Sequence, residues 1–493
     1  MGLTGVLIDI TSIQQYLFGS NRLKENLGGS YLVKSIYGKP LQAALDETAP
    51  GHGDVGMWSD AETFSGGVKI GYIGGGNALL LFQESEVAKK FCRAFSLQIL
   101  VSAPGLRTVF AIAPFHEENF PGSMRELHQE LARAKSREFP AVTVGRHGIT
   151  AECPYTGEAV EARCSDPKSG RLISRSANVR LKTAPTSGGA FKKLVAEEAG
   201  DNYDVTDDLG SLGQPDERSY IAIVHIDGNR IGEKFRNCAT LSETRILSLT
   251  LEQELEQAFR GVVRELAGKI GAKDLCKDNG FRFSPNGERT ILPLRPIIIG
   301  GDDITFVCEG KLGLYLAERF IAGLKSFDAC AGVAVVKSKY PFFRGYQLAE
   351  ELCASAKAKA AGEGGSWLDF LISAGGAAGS LEEIRQSRYA GSEGPLVYAP
   401  YRLDTAGRDE SISLLKDGIS CFHKWPKNKM MALREELTGP KEGVKKFLDA
   451  AGLTLPGAKK FGDNGWDSGR TPFFDMIDLF DFYPKVLLKE VTQ

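Results

Sequence analysis

The chain has only six histidines in 493 residues. None is followed by aspartate and none sits in an HExxH pattern, so neither an HD-type phosphohydrolase centre nor a zinc-protease helix is encoded. Nine cysteines are scattered without a CxxC pair, and an odd set of this kind in a long chain argues against a disulfide framework. Cys308 and Cys330, inside apolar runs, read as small buried hydrophobes. Cys153 and Cys164 flank a Pro-Tyr-Thr-Gly turn like the remnant of a metal knuckle, but two thiols do not complete a four-ligand zinc site. Positive charge is not in excess either: 60 Lys and Arg stand against 62 Asp and Glu. A surface that grips nucleic acid wholesale is therefore not expected, although a local basic patch is. No apolar run approaches the length of a membrane span, and Met1 leads almost directly into the strand Val6-Leu7-Ile8. The expectation is a cytoplasmic protein with no membrane partner.

The chemistry is concentrated in Gly300-Gly301-Asp302-Asp303, set between the apolar runs 296–299 and 304–307. Two β-branched runs joined by a Gly/Asp segment read as a hairpin. Adjacent carboxylates at its tip repel, so the tip is either a solvated turn or a place where Mg²⁺ or Mn²⁺ offsets the charge. Upstream, 219–226 is an apolar strand that ends on Asp227, followed by the turn-forming Gly228 and Asn229. A helical stretch over 243–268, the hairpin, a helix and the strand 331–337 then complete a βαββαβ order. In that plan the first strand lies beside the hairpin. Asp227, Asp302 and Asp303 are thus expected to form one three-carboxylate cluster suited to two hard cations and to phosphoryl or nucleotidyl transfer.

The same plan occurs earlier. Residues 3–10 form a strand ending in Asp9, and the runs 68–73 and 78–82 bracket Gly74-Gly75-Gly76-Asn77. A helix over 84–97 and a strand over 108–114 follow. Glycine and asparagine cannot supply the anionic oxygens that hard cations need, so this copy is expected to have lost catalysis while pairing with the second and forming one wall of a nucleotide pocket.

The fold class expected is α+β, with two ferredoxin-like (βαββαβ) domains and a mainly helical C-terminal domain. The segments are 1–150, the first domain; 151–217, a Cys- and Gly-containing insert and acidic linker; 218–375, the second domain; and 376–493, the helical remainder. Lys273, Lys277, Arg282 and Arg289 mark a polar insertion before the hairpin. Lys357 and Lys359 close a helix over 345–361, where they serve either a triphosphate or the helix dipole. Residues 424–429 form a basic patch.

The run Asp9 to Phe18, with Ser20-Asn21-Arg22-Leu23-Lys24-Glu25 and Gly28-Gly29-Ser30, resembles the opening of the first palm domain in the large polymerase-like subunit of type III CRISPR effector complexes. Asp227-Gly228-Asn229, the GGDD tetrapeptide, Ala331-Gly332-Val333-Ala334 with Lys339-Tyr340-Pro341, and Ala349-Glu350-Glu351-Leu352 leading to Ala356-Lys357 resemble its second palm, in the same order. The resemblance covers most of residues 1–375. It implies a Mg²⁺- or Mn²⁺-dependent nucleotidyltransferase of the palm or cyclase type that converts ATP to cyclic oligoadenylates in antiviral defence. Asp227, Asp302 and Asp303 would be its catalytic and metal-binding residues, with Gly228, Asn229, Gly300, Gly301, Lys357 and Lys359 near the nucleotide. Effector subunits and guide or target RNA are the implied partners. Full-length members often begin with an HD nuclease domain and carry a zinc knuckle; here the first pattern is missing and the second is reduced, so DNA cleavage is not expected. Two alternatives stay open: a non-catalytic nucleotide-binding scaffold of a guide-RNA complex, and a diguanylate-cyclase-like enzyme, against which stand the GGDD tip followed by Ile304 and the duplicated palm. Base specificity, ring size, the activating signal and self-association are not encoded in these motifs.

Overall fold

The structure is a computed structural model that describes residues 2–20, 22–59, 63–137, 151–214, 219–279, 281–373, 379–403, 410–456 and 461–488. Asn21 of the opening motif and the side chain of Lys277 lie outside the described residues. The chain packs as two compact units. One comprises Met1–Lys192, Arg230–Glu256 and Ile297–Asp303; the other comprises Lys193–Asn229, Gln257–Pro296 and Ile304–Gln493. Among the described residues no helix is long and apolar enough to cross a membrane.

In the first unit β1 (Leu3–Thr11) is followed by α1 (Ile13–Phe18), α2 (Leu23–Ser35) and α3 (Lys39–Thr48). Then come β2 (Val68–Gly74), β3 (Asn77–Phe82), α4 (Ser85–Ser102), β4 (Arg107–Phe115) and α5 (Phe120–Ser136). The four strands form one sheet in the order β2-β3-β1-β4, with β1 antiparallel to both β3 and β4. Successive side chains of a strand point to opposite faces. Leu79, Leu81, Val109 and Phe115 accordingly pack with Leu127 and Leu131 of α5. On the opposite parity, Phe82 meets Phe91 of α4 and Phe110 meets Phe95. Each such buried side chain contributes about 1.5–3 kcal/mol relative to exposure.

Beyond the first sheet α6 (Arg175–Ala199) occupies part of the stretch expected to be a linker. Its buried Ala177, Ala184, Phe191 and Val195 recur at helical spacing, and that apolar stripe outweighs the internal Pro185. Cys153 and Cys164 pack with Ile173 and Ala177 in a small apolar cluster.

Next in the chain are β5 (Tyr203–Asp204), β6 (Tyr220–Gly228), α7 (Ile231–Arg236), α8 (Leu241–Gly271) and α9 (Asp274–Asn279). Short β7 (Pro285–Asn286) and β8 (Arg289–Ile291) form a three-stranded sheet with β5. β9 (Leu294–Gly300), β10 (Asp303–Glu309), α10 (Gly313–Ala322), β11 (Ala329–Lys337), α11 (Phe342–Glu363) and β12 (Trp367–Ser373) follow. With β13 (Tyr401–Arg402), the larger sheet runs β13-β12-β11-β6-β10-β9. Its last four strands repeat the order of the first sheet, β6 taking the place of β1 and the β9–β10 hairpin that of β2–β3. β6 and β11 are antiparallel, with Gly332 opposite His225 and Cys330 opposite Asp227. α11 covers the face that carries Cys330 and Gly332, so closely that a Cβ on Gly332 would sit 1.9 Å from the Ala349 carbonyl oxygen. On the other face Phe259 of α8 meets Phe306.

The acidic stretch that begins in the last turn of α6 and runs beyond it is held by ion pairs. Glu198 pairs with Arg260 and Arg264 of α8, and Asp207 pairs at 3.0 Å with Arg295, which is 1% exposed. Such a run reads as a linker by composition, because its partners lie far along the chain. The C-terminal part is built from α12 (Leu381–Arg388), α13 (Ile412–Phe422), α14 (Lys427–Glu436), α15 (Lys441–Ala451) and α16 (Phe473–Leu479). Ser380 and Glu383 form a capping box at the start of α12, an arrangement that stabilises a helix end by about 1 kcal/mol. Lys427, from the basic patch, pairs with Asp481 at 2.8 Å.

Candidate functional site

β6 is apolar except for the buried His225: Ile221, Ala222, Ile223, Val224 and Ile226 are all buried, and the strand then ends on Asp227 and Gly228. Asp227 lies on the face that α11 covers, because its register partner is Cys330. There Lys357, from α11, places its ammonium Nζ 2.5 Å from Asp227 Oδ2 and donates to the Gly228 carbonyl at 3.2 Å. Both side chains are about one-third exposed. Asn229 donates its backbone N–H to the Asp328 carbonyl at 2.7 Å and its side-chain Nδ2 to the Gly365 carbonyl at 3.0 Å, which pins the chain as it leaves the strand. Arg230 then adopts a left-handed φ of 57° and α7 begins.

The hairpin residues lie one strand away in the sheet order. β9 ends at Gly300, β10 begins at Asp303, and β10 is the neighbour of β6. Gly301 has φ +70° while Asp302 is not among the positive-φ residues, the pattern of a II′-type two-residue turn, whose second position accepts a side chain. β6 and β10 are tied by His225 Nδ1 and Thr305 Oγ1 at 3.0 Å, both buried. Burial holds the His225 imidazole down at about 4, with Lys357 acting in the same direction and Asp227 against it. Its ring meets Tyr346 of α11 edge-on, with centroids 5.7 Å apart.

The two lysines read together from sequence go separate ways. Lys357 reaches Asp227; Lys359 pairs with Glu410 at 3.2 Å and with Glu363 at 3.5 Å, and Glu410 in turn binds Arg470. One helical step of two residues turns their side chains about 200° apart. Among the described residues no group of three or more His, Cys, Asp or Glu side chains is gathered as a metal site.

No protein-family model matches the chain, and no curated protein matches it in sequence. Solved structures do match in fold. The crystal structure of a Csm1–Csm4 cassette in complex with cA4 aligns over 99% of this chain and 69% of that chain, at 12% identity and a TM-score of 0.57. The chain has the fold of Csm1. The cassette in complex with AMPPNP gives 13% identity, a TM-score of 0.54 and coverage of 99% and 69%. Csm1 of T. onnurineus gives 13% and 0.54, with 98% and 70% covered. The resemblance to the large subunits of type III CRISPR effectors is thus met at the level of the fold.

Within this Csm1 fold the chain repeats an ion pair that the sequence did not reveal. Asp9, near the end of β1, is paired with Lys135 of α5, as Asp227 is with Lys357 of α11. Each lysine lies fifteen residues into its helix (Phe120 to Lys135, Phe342 to Lys357), and each aspartate lies three residues before a left-handed residue, Ser12 or Arg230, that opens a six-residue helix. Those equal offsets were the available signal.

Proposed function

We propose that the chain is a Mg²⁺- or Mn²⁺-dependent nucleotidyltransferase that joins ATP into a cyclic oligoadenylate-type messenger in CRISPR-type antiviral defence. The two similar sheets would be its ferredoxin-like palm domains, and the second would carry the chemistry. The observation that carries this reading is the placement of Asp227 at the end of β6 and of Asp303 at the start of β10, neighbouring strands of one sheet, with Asp302 in the turn before it. Solved structures of the same fold described in complex with cA4 and with AMPPNP support it.

The donor set suits hard cations, which take carboxylate oxygens. Asp227 already attracts a positive charge, the Lys357 ammonium. Asp227, Asp302 and Asp303 would hold the metal, whose charge would offset the phosphates and the leaving pyrophosphate. The protein's own residues do the rest by position. A Cβ on Gly300 would meet open space, so the backbone there would admit a close approach by phosphate, and Asn229 is fixed by two hydrogen bonds. Lys357, held by Asp227 and the Gly228 carbonyl, would place its positive charge beside a triphosphate bound there, while Lys359 anchors α11 to Glu410. Assembly with further effector subunits is part of the proposal, since the similar structures are described as Csm1–Csm4 cassettes.

The test is incubation of the pure protein with ATP and Mg²⁺ or Mn²⁺, alone and with target RNA, followed by pyrophosphate assay and mass spectrometry of the product. A cyclic oligoadenylate is expected. Failure with every nucleoside triphosphate, despite nucleotide binding, would leave the scaffold reading; turnover of GTP alone to a cyclic dinucleotide would favour the diguanylate-cyclase one.

A further inference from the structure

Both Gly-rich hairpins turn through two residues, and within the first unit their tips touch. Gly75 and Gly301 have φ +59° and +70°. A Cβ built on Gly301 would lie 2.7 Å from the Gly75 Cα, and one on Gly75 would lie 3.4 Å from the Gly301 Cα. Backbone therefore rests on backbone, with no room for a side chain at position 301. The first tip is well braced. The Gly76 carbonyl accepts the Tyr37 hydroxyl at 2.8 Å and the Ile10 N–H at 3.1 Å. Ser248 reaches the Ile73 carbonyl at 3.4 Å, and a Cβ on Gly74 would lie 2.5 Å from Ser248 Oγ. Arg245, buried beside it, donates to the Ile70 carbonyl at 3.0 Å where β2 bulges.

We infer that the acid-free tip is a positioning element for the reaction, and that Gly75 is the stop against which Gly301, and with it the Asp302-Asp303 pair, is seated. This rests on the proposed nucleotidyl transfer. It gives the first hairpin a role that needs no carboxylate: a braced, side-chain-free surface that fixes where the second tip stands. Displacing reacting groups by about 1 Å can cost about 100-fold in rate, so such a stop matters only if the second tip does chemistry.

The test compares Gly75→Asn with Gly76→Asn. Asparagine tolerates left-handed φ, so strain is small and similar at the two positions. A Cβ at 75 would already touch the Gly301 Cα at 3.4 Å, so the rest of the asparagine presses on the rigid backbone of the second tip, whereas one at 76 would lie 2.7 Å from the flexible end of Ile13, which can move aside, and 3.9 Å from the Ile10 Cβ. Gly75→Asn is expected to lower kcat for ATP by about tenfold or more with KM within about twofold, and to speed amide hydrogen exchange in segment 297–303. Gly76→Asn should change neither by more than about twofold. Tyr37→Phe, which removes only the brace, should speed the same exchange to a smaller extent and covers the case in which Gly75→Asn does not fold. Equal effects of the two asparagine variants, or unchanged exchange in 297–303 for both Gly75→Asn and Tyr37→Phe, overturns the inference. If the wild-type protein yields no product, the functional reading fails, and the exchange contrast still decides whether Gly75 seats the second tip.

Discussion

The two four-strand arrangements share their strand order, a left-handed residue and short helix after the first strand, and an aspartate-lysine pair, but their hairpin tips differ. At the first tip Gly75 and Gly76 are both left-handed, at +59° and +80°, as a I′ turn requires. At the second only Gly301 is, so the next position accepts Asp302. The first hairpin closes without any acid, which shows that the fold does not need them. Two adjacent carboxylates at the second tip repel each other, a cost that the proposed cation would offset.

The burial of charge also divides the sheets. In the strands of the first, Thr4 is the one buried polar side chain, whereas those of the second bury His225, Arg295, Glu309 and Asp369. The second sheet is thus more sensitive to substitution and to pH.

The sharpest way to break the comparison is to convert the second tip into the first. Asp302→Gly/Asp303→Asn is expected to reduce product formation by about 1,000-fold or more while thermal stability stays near wild type, because glycine fits either turn. Retained synthesis in that variant sinks the assignment of chemistry to the second tip. A stability contrast comes next. Asp207→Ala leaves Arg295 buried without its carboxylate and should destabilise by about 3 kcal/mol or more in urea unfolding. A loss below about 0.5 kcal/mol would show that water reaches Arg295.

The repeated ion pair separates the sheets further. Lys357→Met should lower kcat/KM for ATP by about 10- to 100-fold, since charge on transferring phosphate loses a partner. Lys135→Met breaks a pair whose lysine is half-exposed, worth about 0–1 kcal/mol, and should leave turnover within about twofold. Equal losses would mean that both pairs serve the fold alone.

The smallest effect concerns pH. Burial raises the Glu309 carboxyl to about 7, against the Lys311 N–H and Gln214 that favour its charged form. The folded protein then binds this proton more tightly than the unfolded chain. Its contribution is fully present below about pH 4.5 and is lost as pH rises to about 7, amounting to about 1–3 kcal/mol. The difference in unfolding free energy between wild type and Glu309→Gln should change over that window and level off above it. A constant difference from pH 4.5 to 7.5 would place Glu309 in contact with water.

Much of the fold was legible in the residues. Asp9 and Asp227 at strand ends, the glycines of both tips and the helix over 345–361 follow from local chemistry, namely period-two and helical patterning and the turn preferences of Gly, Asp and Asn. The acidic stretch was not legible, because the partners of Asp207 and Glu198 lie more than sixty residues away. The lysines of α11 were only half legible. Sequence puts both near the helix end, yet which one faces the strand depends on how α11 lies on the sheet.

The sequence by itself determined that two hairpins exist, that one carries acids and the other does not, and that each sheet begins with a strand closing near an aspartate. These are properties of short segments, in which backbone conformation follows residue type. Tertiary structure alone decided that Lys357 meets Asp227 while Lys359 meets Glu410, and that Gly75 meets Gly301. Such pairings join positions far apart in the chain, and only the packing of helices on a sheet and of one hairpin tip on another brings them within reach.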